Sequence, residues 1–285
     1  MPMRPHWLKT KLSAGKNFHD IKGILREKQL HTVCEQALCP NIGECFEQRT
    51  ATFLILGNTC TRRCEFCAVK KGDPARIDKG EPHRIAEAVK EMGLAYVVVT
   101  SVTRDDLSDG GASVYAETIY HIRKYIENCK VEVLIPDFGG SLKALETVIH
   151  ARPDIINHNI ETVPRLYSKV RPVADYARSL KLLKHVHEKN PFLITKSGLM
   201  LGLGEEWNEI IEVMQGIRNA GCDLLTLGQY LSPARNALPI QRYYTPEEFE
   251  ILKREGICMG FTYVESGPLV RSSYHAQRQT DYVLI

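Results

Sequence analysis

Nine cysteines stand in this 285-residue chain, and six of them fall between positions 34 and 67, where even scatter would place about one. They form two groups of three. The later group is Cys60-Thr-Arg-Arg-Cys64-Glu-Phe-Cys67, a C-x3-C-x2-C spacing. Three thiolates in one short loop can wrap a corner of an iron–sulfur cubane, one sulfur to each of three irons, leaving the fourth iron open to a small molecule. Structural zinc sites instead close four ligands and usually pair two C-x2-C or C…H spacings. This chain has one C-x2-C and no histidine at partner spacing. The earlier group is Cys34-x4-Cys39-x5-Cys45, with Pro40 and Gly43 shaping its turns. Those three are structural, or complete one site with the later triplet, or hold a second cluster; two cluster-like spacings favour the second cluster. It would lack a fourth cysteine ligand and leave room for an oxygen ligand from elsewhere. A disulfide framework suits small secreted chains rather than one long enough to build its own core. Cys129, Cys222 and Cys258 stand alone in periodic apolar segments and read as small buried side chains.

Those thiols need a scaffold, and the chain alternates short apolar runs with amphipathic stretches. Expected strands are Thr52–Leu56, Ala95–Thr100, Val131–Ile135, Asp154–His158, Leu193–Leu201 and Asp223–Leu227. They are rich in Val, Ile and Leu on both faces, as buried parallel strands are. Expected helices between them are Pro82–Met92, Ala112–Asn128, Leu142–His150, Asp175–Lys189 and Glu206–Ala220, with a last one at Pro246–Glu255 capped by Thr245. Helical crossovers imply right-handed βαβ units. The expected fold is α/β, a partial (β/α)6 TIM-like barrel of parallel strands over residues 51–264, with a doubly wound open sheet as the alternative. Residues 1–50 and 265–285 read as N- and C-terminal extensions. In either architecture functional groups gather at the C-terminal strand ends, where the later triplet follows the first strand.

Composition narrows the classes. Hydrophobic residues make up 44% and charged residues 25%, ordinary for a globular protein. A net charge of +3 is too small to argue for nucleic acid or an anionic membrane, and no apolar run of bilayer length exists. Arg4, Lys9, Lys11 and Lys16 precede the first acid, Asp20, so the start is a remnant transit peptide or a basic arm anchored by Trp7, Leu8 and Leu12. No apolar segment follows those charges, which excludes a signal peptide.

The later triplet, with Phe66 before its last cysteine, resembles that of the radical S-adenosylmethionine superfamily. Further segments resemble one family within it, lipoyl synthase: residues 39–45, 99–107, 109–112, 158–164, 200–205, 225–231 and 266–276, together spanning nearly the whole chain. The triplet at 34–45 separates that family from other members. The resemblance implies that Cys60, Cys64 and Cys67 hold a catalytic [4Fe-4S] cluster whose open iron chelates S-adenosylmethionine. It implies that Cys34, Cys39 and Cys45 hold an auxiliary [4Fe-4S] cluster, with a serine of Arg271-Ser272-Ser273-Tyr274 as fourth ligand, Ser273 in preference to Ser272. It implies sulfur insertion at C6 and C8 of an octanoyl chain on a lysine of a lipoyl carrier domain or H protein, the auxiliary cluster being the sulfur source. An electron donor such as ferredoxin or flavodoxin and a cytoplasmic location follow from the same resemblance; no nucleic acid or membrane partner does.

Other positions carry weaker expectations. Gly202, Gly204 and Glu205 resemble an element near the S-adenosylmethionine adenine, or form an ordinary glycine-rich turn. Asn159 and Glu161 are candidates for ribose contacts. Arg104, Asp105 and Asp106 position substrate or cap a turn; His158 and His275 read as structural. Arg62, Arg63, Lys70 and Lys71 meet an acidic carrier or form a solvated face. Three rival classes remain: a two-cluster electron carrier, a zinc-structured binding protein, and a radical enzyme with another product, such as a methylthiotransferase or a biotin-synthase-like enzyme. The first leaves a 285-residue α/β body unexplained; the last is opposed by the triplet at 34–45 and the Arg-Ser-Ser-Tyr motif.

Overall fold

The computed structural model describes residues 4–9, 15–234 and 237–281, so Lys11 and Leu12 of the expected basic arm lie outside the described residues. The strands are β1 (His31–Thr32), β2 (Thr52–Ile55), β3 (Thr59–Cys60), β4 (Lys70–Lys71), β5 (Tyr96–Ser101), β6 (Lys130–Leu134), β7 (Ile155–Asn157), β8 (Ile194–Leu201), β9 (Leu224–Gln229) and β10 (Tyr263–Gly267). The main sheet runs β1-β2-β5-β6-β7-β8-β9-β10, in chain order without reversal. A doubly wound sheet reverses order at a switch point, so this singly wound order assigns the fold to the partial (β/α)-barrel class.

The chain divides into two compact units. One comprises Thr10–Arg62 and Ala68–Ile156; the other comprises Met1–Lys9, Arg63–Cys67 and Asn157–Ile285. In the first, β2 is buried along its whole length and pairs in parallel with β5, which pairs in parallel with β6. Helices Glu81–Glu91, Ala112–Tyr125 and Leu142–His150 supply crossovers. Ser141 caps the last of these by accepting from the Ala144 N–H, a bond that offsets one orphan donor of the first turn. Gly111 begins the Ala112 helix at φ 90°, and a Cβ there would collide with the Leu56 side chain.

In the second unit β8, β9 and β10 pair in parallel. Helices Tyr176–Lys189, Trp207–Asn219 and Pro246–Cys258 bury apolar faces, with Leu183, Ile210, Met214, Ile217, Phe249 and Leu252 in one core. Each such side chain contributes about 1.5–3 kcal/mol by leaving water. Thr245 accepts from the Glu248 N–H and Glu248 returns the bond, the capping expected from sequence.

All six expected strands are present, with ends shifted by up to two residues. A seventh parallel strand, β10, was not expected, and it straddles the position where the C-terminal extension was placed. Only Val264 of its five residues is buried, so the apolar signal is weak. β1 was also missed; it is two residues long and antiparallel to β2. Cys129 and Cys222 are buried as expected, but Cys258 is exposed at a helix end. No helix among the described residues is long and apolar enough to cross a membrane.

Candidate active site

The loop that carries the later triplet begins where β2 ends. Leu56 turns the chain at φ 67°, and its N–H donates to the buried Glu81 carboxylate at 2.7 Å. β3 and β4 then pair in parallel, and the Gly72 N–H donates to the Cys60 carbonyl at 3.0 Å. The Cys60 sulfur accepts from the N–H groups of Arg62 at 3.4 Å and Thr103 at 3.3 Å. Hydrogen bonds to ligand sulfurs are one means by which a protein tunes a cluster. Arg62 is only 6% exposed and grips Asp105 through two bonds of 2.8 Å. It also pairs with the fully buried side chain of Asp137 at 2.6 Å. Arg62 is therefore held as part of the loop rather than lying on a solvated face. Arg104 pairs with Asp106 and holds its carboxyl below the usual carboxylate range. Arg63, Lys70 and Lys71 are exposed.

The boundary between the compact units falls inside the motif, between Arg62 and Arg63. Three residues lie between Cys60 and Cys64 in the chain. Cys64 and Cys67 share one turn, the Cys67 N–H donating to the Cys64 carbonyl at 3.3 Å. The Glu65 N–H donates to Val170, and Phe66 packs on the core of the same unit. Arg171 follows directly. Its guanidinium donates to the carbonyls of Asn159 and Ile160 and to the Tyr167 hydroxyl, and its charge acts on Cys64 and Glu161.

Asn159 and Glu161 come together after β7. The Asn159 amide donates to Glu161 at 3.1 Å, and Glu161 bridges its backbone to Leu199 on β8. Glu161 sits at φ 71°, an uncommon place for a non-glycine residue. Enclosure away from water pushes its carboxyl above the ordinary range, against the pull of Arg171, Asn159 and Arg271. Gly202, Gly204 and Glu205 form one tight turn after β8. The Glu205 carboxylate accepts from the N–H groups of Gly202 at 2.5 Å and Leu203 at 2.9 Å. Gly202 is at φ 107°, and a Cβ there would strike Gln229 and the Arg242 carbonyl. Glu205 is thus occupied in shaping the turn. His158 bonds Ser179 at 3.0 Å in the interior, and His275 stacks on Tyr274.

The earlier triplet is built from two short helices. Thr32 caps Val33–Gln36, which carries the buried Cys34. The Cys39 N–H donates to the Cys34 carbonyl at 3.0 Å, and the Cys45 N–H donates to Asn41 at 2.9 Å within Ile42–Glu47. The three thiols are close enough to act on one another electrostatically. Burial first, then the neighbouring sulfurs, push Cys34 and Cys45 each up to about 12. Soft sulfur donors suit iron–sulfur clusters. Among the described residues no three Cys, His, Asp or Glu side chains are placed to hold a single metal ion. A cubane spreads its ligands over separate irons, so three neighbouring thiols fit it as a donor set. Sequence reasoning passed over Asp137 and Arg171. Asp137 lies just past the C-terminal end of β6, where the strand-end rule could have found it; nothing local marks Arg171.

Comparison with known proteins defines the class first. Residues 54–217 match the family model described as the Radical SAM superfamily, whose members hold a [4Fe-4S] cluster and S-adenosylmethionine. Solved structures share the fold: that of HydG, a maturase of the [FeFe]-hydrogenase, has TM-score 0.58 at 16% identity, covering 87% of this chain and 62% of that one. Methylornithine synthase (PylB) has TM-score 0.55 at 13% identity, covering 87% and 74%. Residues 2–39 match the N-terminal domain of lipoyl synthase. Lipoyl synthase of Rubrobacter xylanophilus is 58% identical over 98% of this chain and 87% of its own length. That of Caldanaerobacter subterraneus is 55% identical over 96% and 95%. The chain belongs to the lipoyl synthase family, radical S-adenosylmethionine sulfurtransferases acting on a lipoyl carrier substrate.

Proposed function

We propose that Cys60, Cys64 and Cys67 hold the catalytic [4Fe-4S] cluster, and that Cys34, Cys39 and Cys45 with Ser273 hold an auxiliary one that donates the inserted sulfur. The observation that carries this is the pair of separate three-thiol groups, each one ligand short of a closed cubane. When bound, the clusters and S-adenosylmethionine supply a radical able to take hydrogen from C6 and C8 of an octanoyl chain and the sulfide inserted there. The chain's own residues supply placement. Arg62, fixed by Asp105 and Asp137, holds the backbone between Cys60 and Cys64. Asn159 and Glu161 offer an amide and a carboxylate to ribose hydroxyls. The turn at 202–205 follows β8, the strand to which Glu161 bridges, and presents the exposed backbone of Gly204, suited to a flat base. In this reading residues 1–50 are the auxiliary-cluster extension, 51–264 the radical body and 265–285 the extension carrying Ser273. The remaining parts are an octanoylated lipoyl domain or H protein as carrier, a ferredoxin or flavodoxin as reductant, and a cytoplasmic location. No disulfide joins any of the nine cysteines, all of which lie among the described residues, which suits a reducing compartment.

The test compares iron and sulfide per chain, after anaerobic reconstitution, in the native protein and a Cys34→Ala/Cys39→Ala/Cys45→Ala variant. About eight irons should fall to about four. With S-adenosylmethionine, dithionite and an octanoyl-lysine peptide, the variant should make 5′-deoxyadenosine and insert no sulfur. Full iron load, or sulfur insertion by the variant, would end the auxiliary-cluster assignment.

A further inference from the structure

Ser272 sits in a hydrogen-bond chain that runs in one direction. The Asn157 amide donates to the Ser272 hydroxyl at 3.0 Å, which donates to the Asn159 carbonyl oxygen at 2.9 Å. The Asn159 amide donates in turn to Glu161 at 3.1 Å. Asn157 is the last residue of β7, and Glu161 is pinned to β8 by its N–H to Gly198 at 2.9 Å and by its carbonyl, which accepts from Met200 at 2.8 Å. Both ends of the chain are thus fixed to strands, while its middle member belongs to an irregular segment 115 residues later in sequence. A hydroxyl has one proton, and that of Ser272 is given to Asn159. Glycines make the fit. A Cβ on Gly228 would collide with the Val270 carbonyl, and one on Gly198 would lie 3.0 Å from the Asn159 oxygen.

We propose that Ser272 is a positioning residue that sets the register of the C-terminal segment, and with it Ser273, through Asn157 and Asn159. This rests on the reading in which Ser273 ligates the auxiliary cluster. Beyond that reading it assigns Ser272 a role of its own, and it ties the segment carrying the ligand to Asn159, and through it to Glu161, the two side chains assigned to the ribose. A chain of bonds ending on a carboxylate is stronger than its neutral links alone, so the amide–hydroxyl–amide order matters as well as the contacts.

The experiment is hydrogen exchange on the cluster-free full chain, with Ser272→Ala, Ser272→Thr and Ser273→Ala. The reporters are the amides of Val270, Tyr274 and Ala276, which bond to Gly267, Arg271 and Ser273; helix Pro246–Cys258 is the reference. Loss of two hydrogen bonds of ordinary net strength corresponds to about 5- to 150-fold faster local opening in Ser272→Ala. Ser272→Thr keeps the hydroxyl and should restore slow exchange. Each variant is then loaded in a Cys60→Ala/Cys64→Ala/Cys67→Ala background, and iron loss to a chelator is timed. Ser272→Ala should lose iron several-fold faster and Ser272→Thr should not. Native exchange in Ser272→Ala, or equal acceleration in the reference helix, would overturn the positioning role and leave the cluster reading untouched. Fast exchange in Ser272→Ala together with native iron retention in Ser273→Ala would overturn the ligand assignment instead, with Ser272 still setting the segment.

Discussion

At the scale of single residues, the chemistry is concentrated in side chains whose partners are already in place. Arg62 is the clearest case. It is buried, bidentate to Asp105 and paired with Asp137, whose side chain has no exposure. Removing one member of a buried pair leaves an uncompensated charge, which costs about 3–5 kcal/mol. Arg62→Met should therefore lower unfolding stability by that amount in denaturant titration, and Arg62→Lys should recover only part, because an ammonium cannot reproduce the fork. A loss below about 1 kcal/mol for Arg62→Met would mean that Asp137 is satisfied without it. The six clustered cysteines stand out by type and spacing alone, a soft-sulfur pattern that suits iron–sulfur clusters. Arg62 was readable only as a surface charge. Its meaning depends on Asp137, seventy-five residues away, and no local pattern couples the two.

At the scale of elements, the working parts are junctions between strand ends and helix starts. Glu81, the first residue of its helix, places its carboxylate on the N–H of Leu56, the residue after β2. Burial raises this carboxyl above its ordinary value of 4.5. The raised value means that the folded state holds its proton longer than the unfolded state. The associated stability is present below pH 4.5 and is lost as pH rises through the folded pKa. Glu81→Gln keeps an acceptor without the charge. Its stability should be flatter with pH above 4.5, as thermal unfolding across a pH series would reveal, whereas Glu81→Ala should cost about 1–3 kcal/mol for an unpaired N–H. A native pH slope in Glu81→Gln would show that another group sets it. Strand and helix existence was readable here because β2 and β5 are nearly continuous apolar runs and the helices carry N-caps at Ser141, Asp175 and Thr245. β10 escaped because four of its five residues are only half-buried, so the pattern that marks its neighbours is missing.

At the scale of the whole molecule, the hydrophobic cores form without the clustered thiols, Cys34 excepted. A Cys60→Ala/Cys64→Ala/Cys67→Ala variant should therefore keep native far-ultraviolet circular dichroism and cooperative unfolding. It should lose the response to S-adenosylmethionine. At a hundredfold excess over Kd the cofactor should stabilise the iron-loaded native protein by about 2.7 kcal/mol and leave the variant unmoved. Equal stabilisation of both would place the binding energy away from the catalytic cluster. The sequence by itself determined the grouping of the cysteines, the β/α alternation and the family, since each is a matter of residue identity at short or repeating spacing. Only the tertiary structure decided between a singly wound and a doubly wound sheet, added β10, enclosed Arg62 between Asp105 and Asp137, and bonded Ser272 to Asn157 and Asn159. Those outcomes rest on pairings between residues far apart in the chain, which hydrogen-bond direction and burial settle and sequence order does not encode.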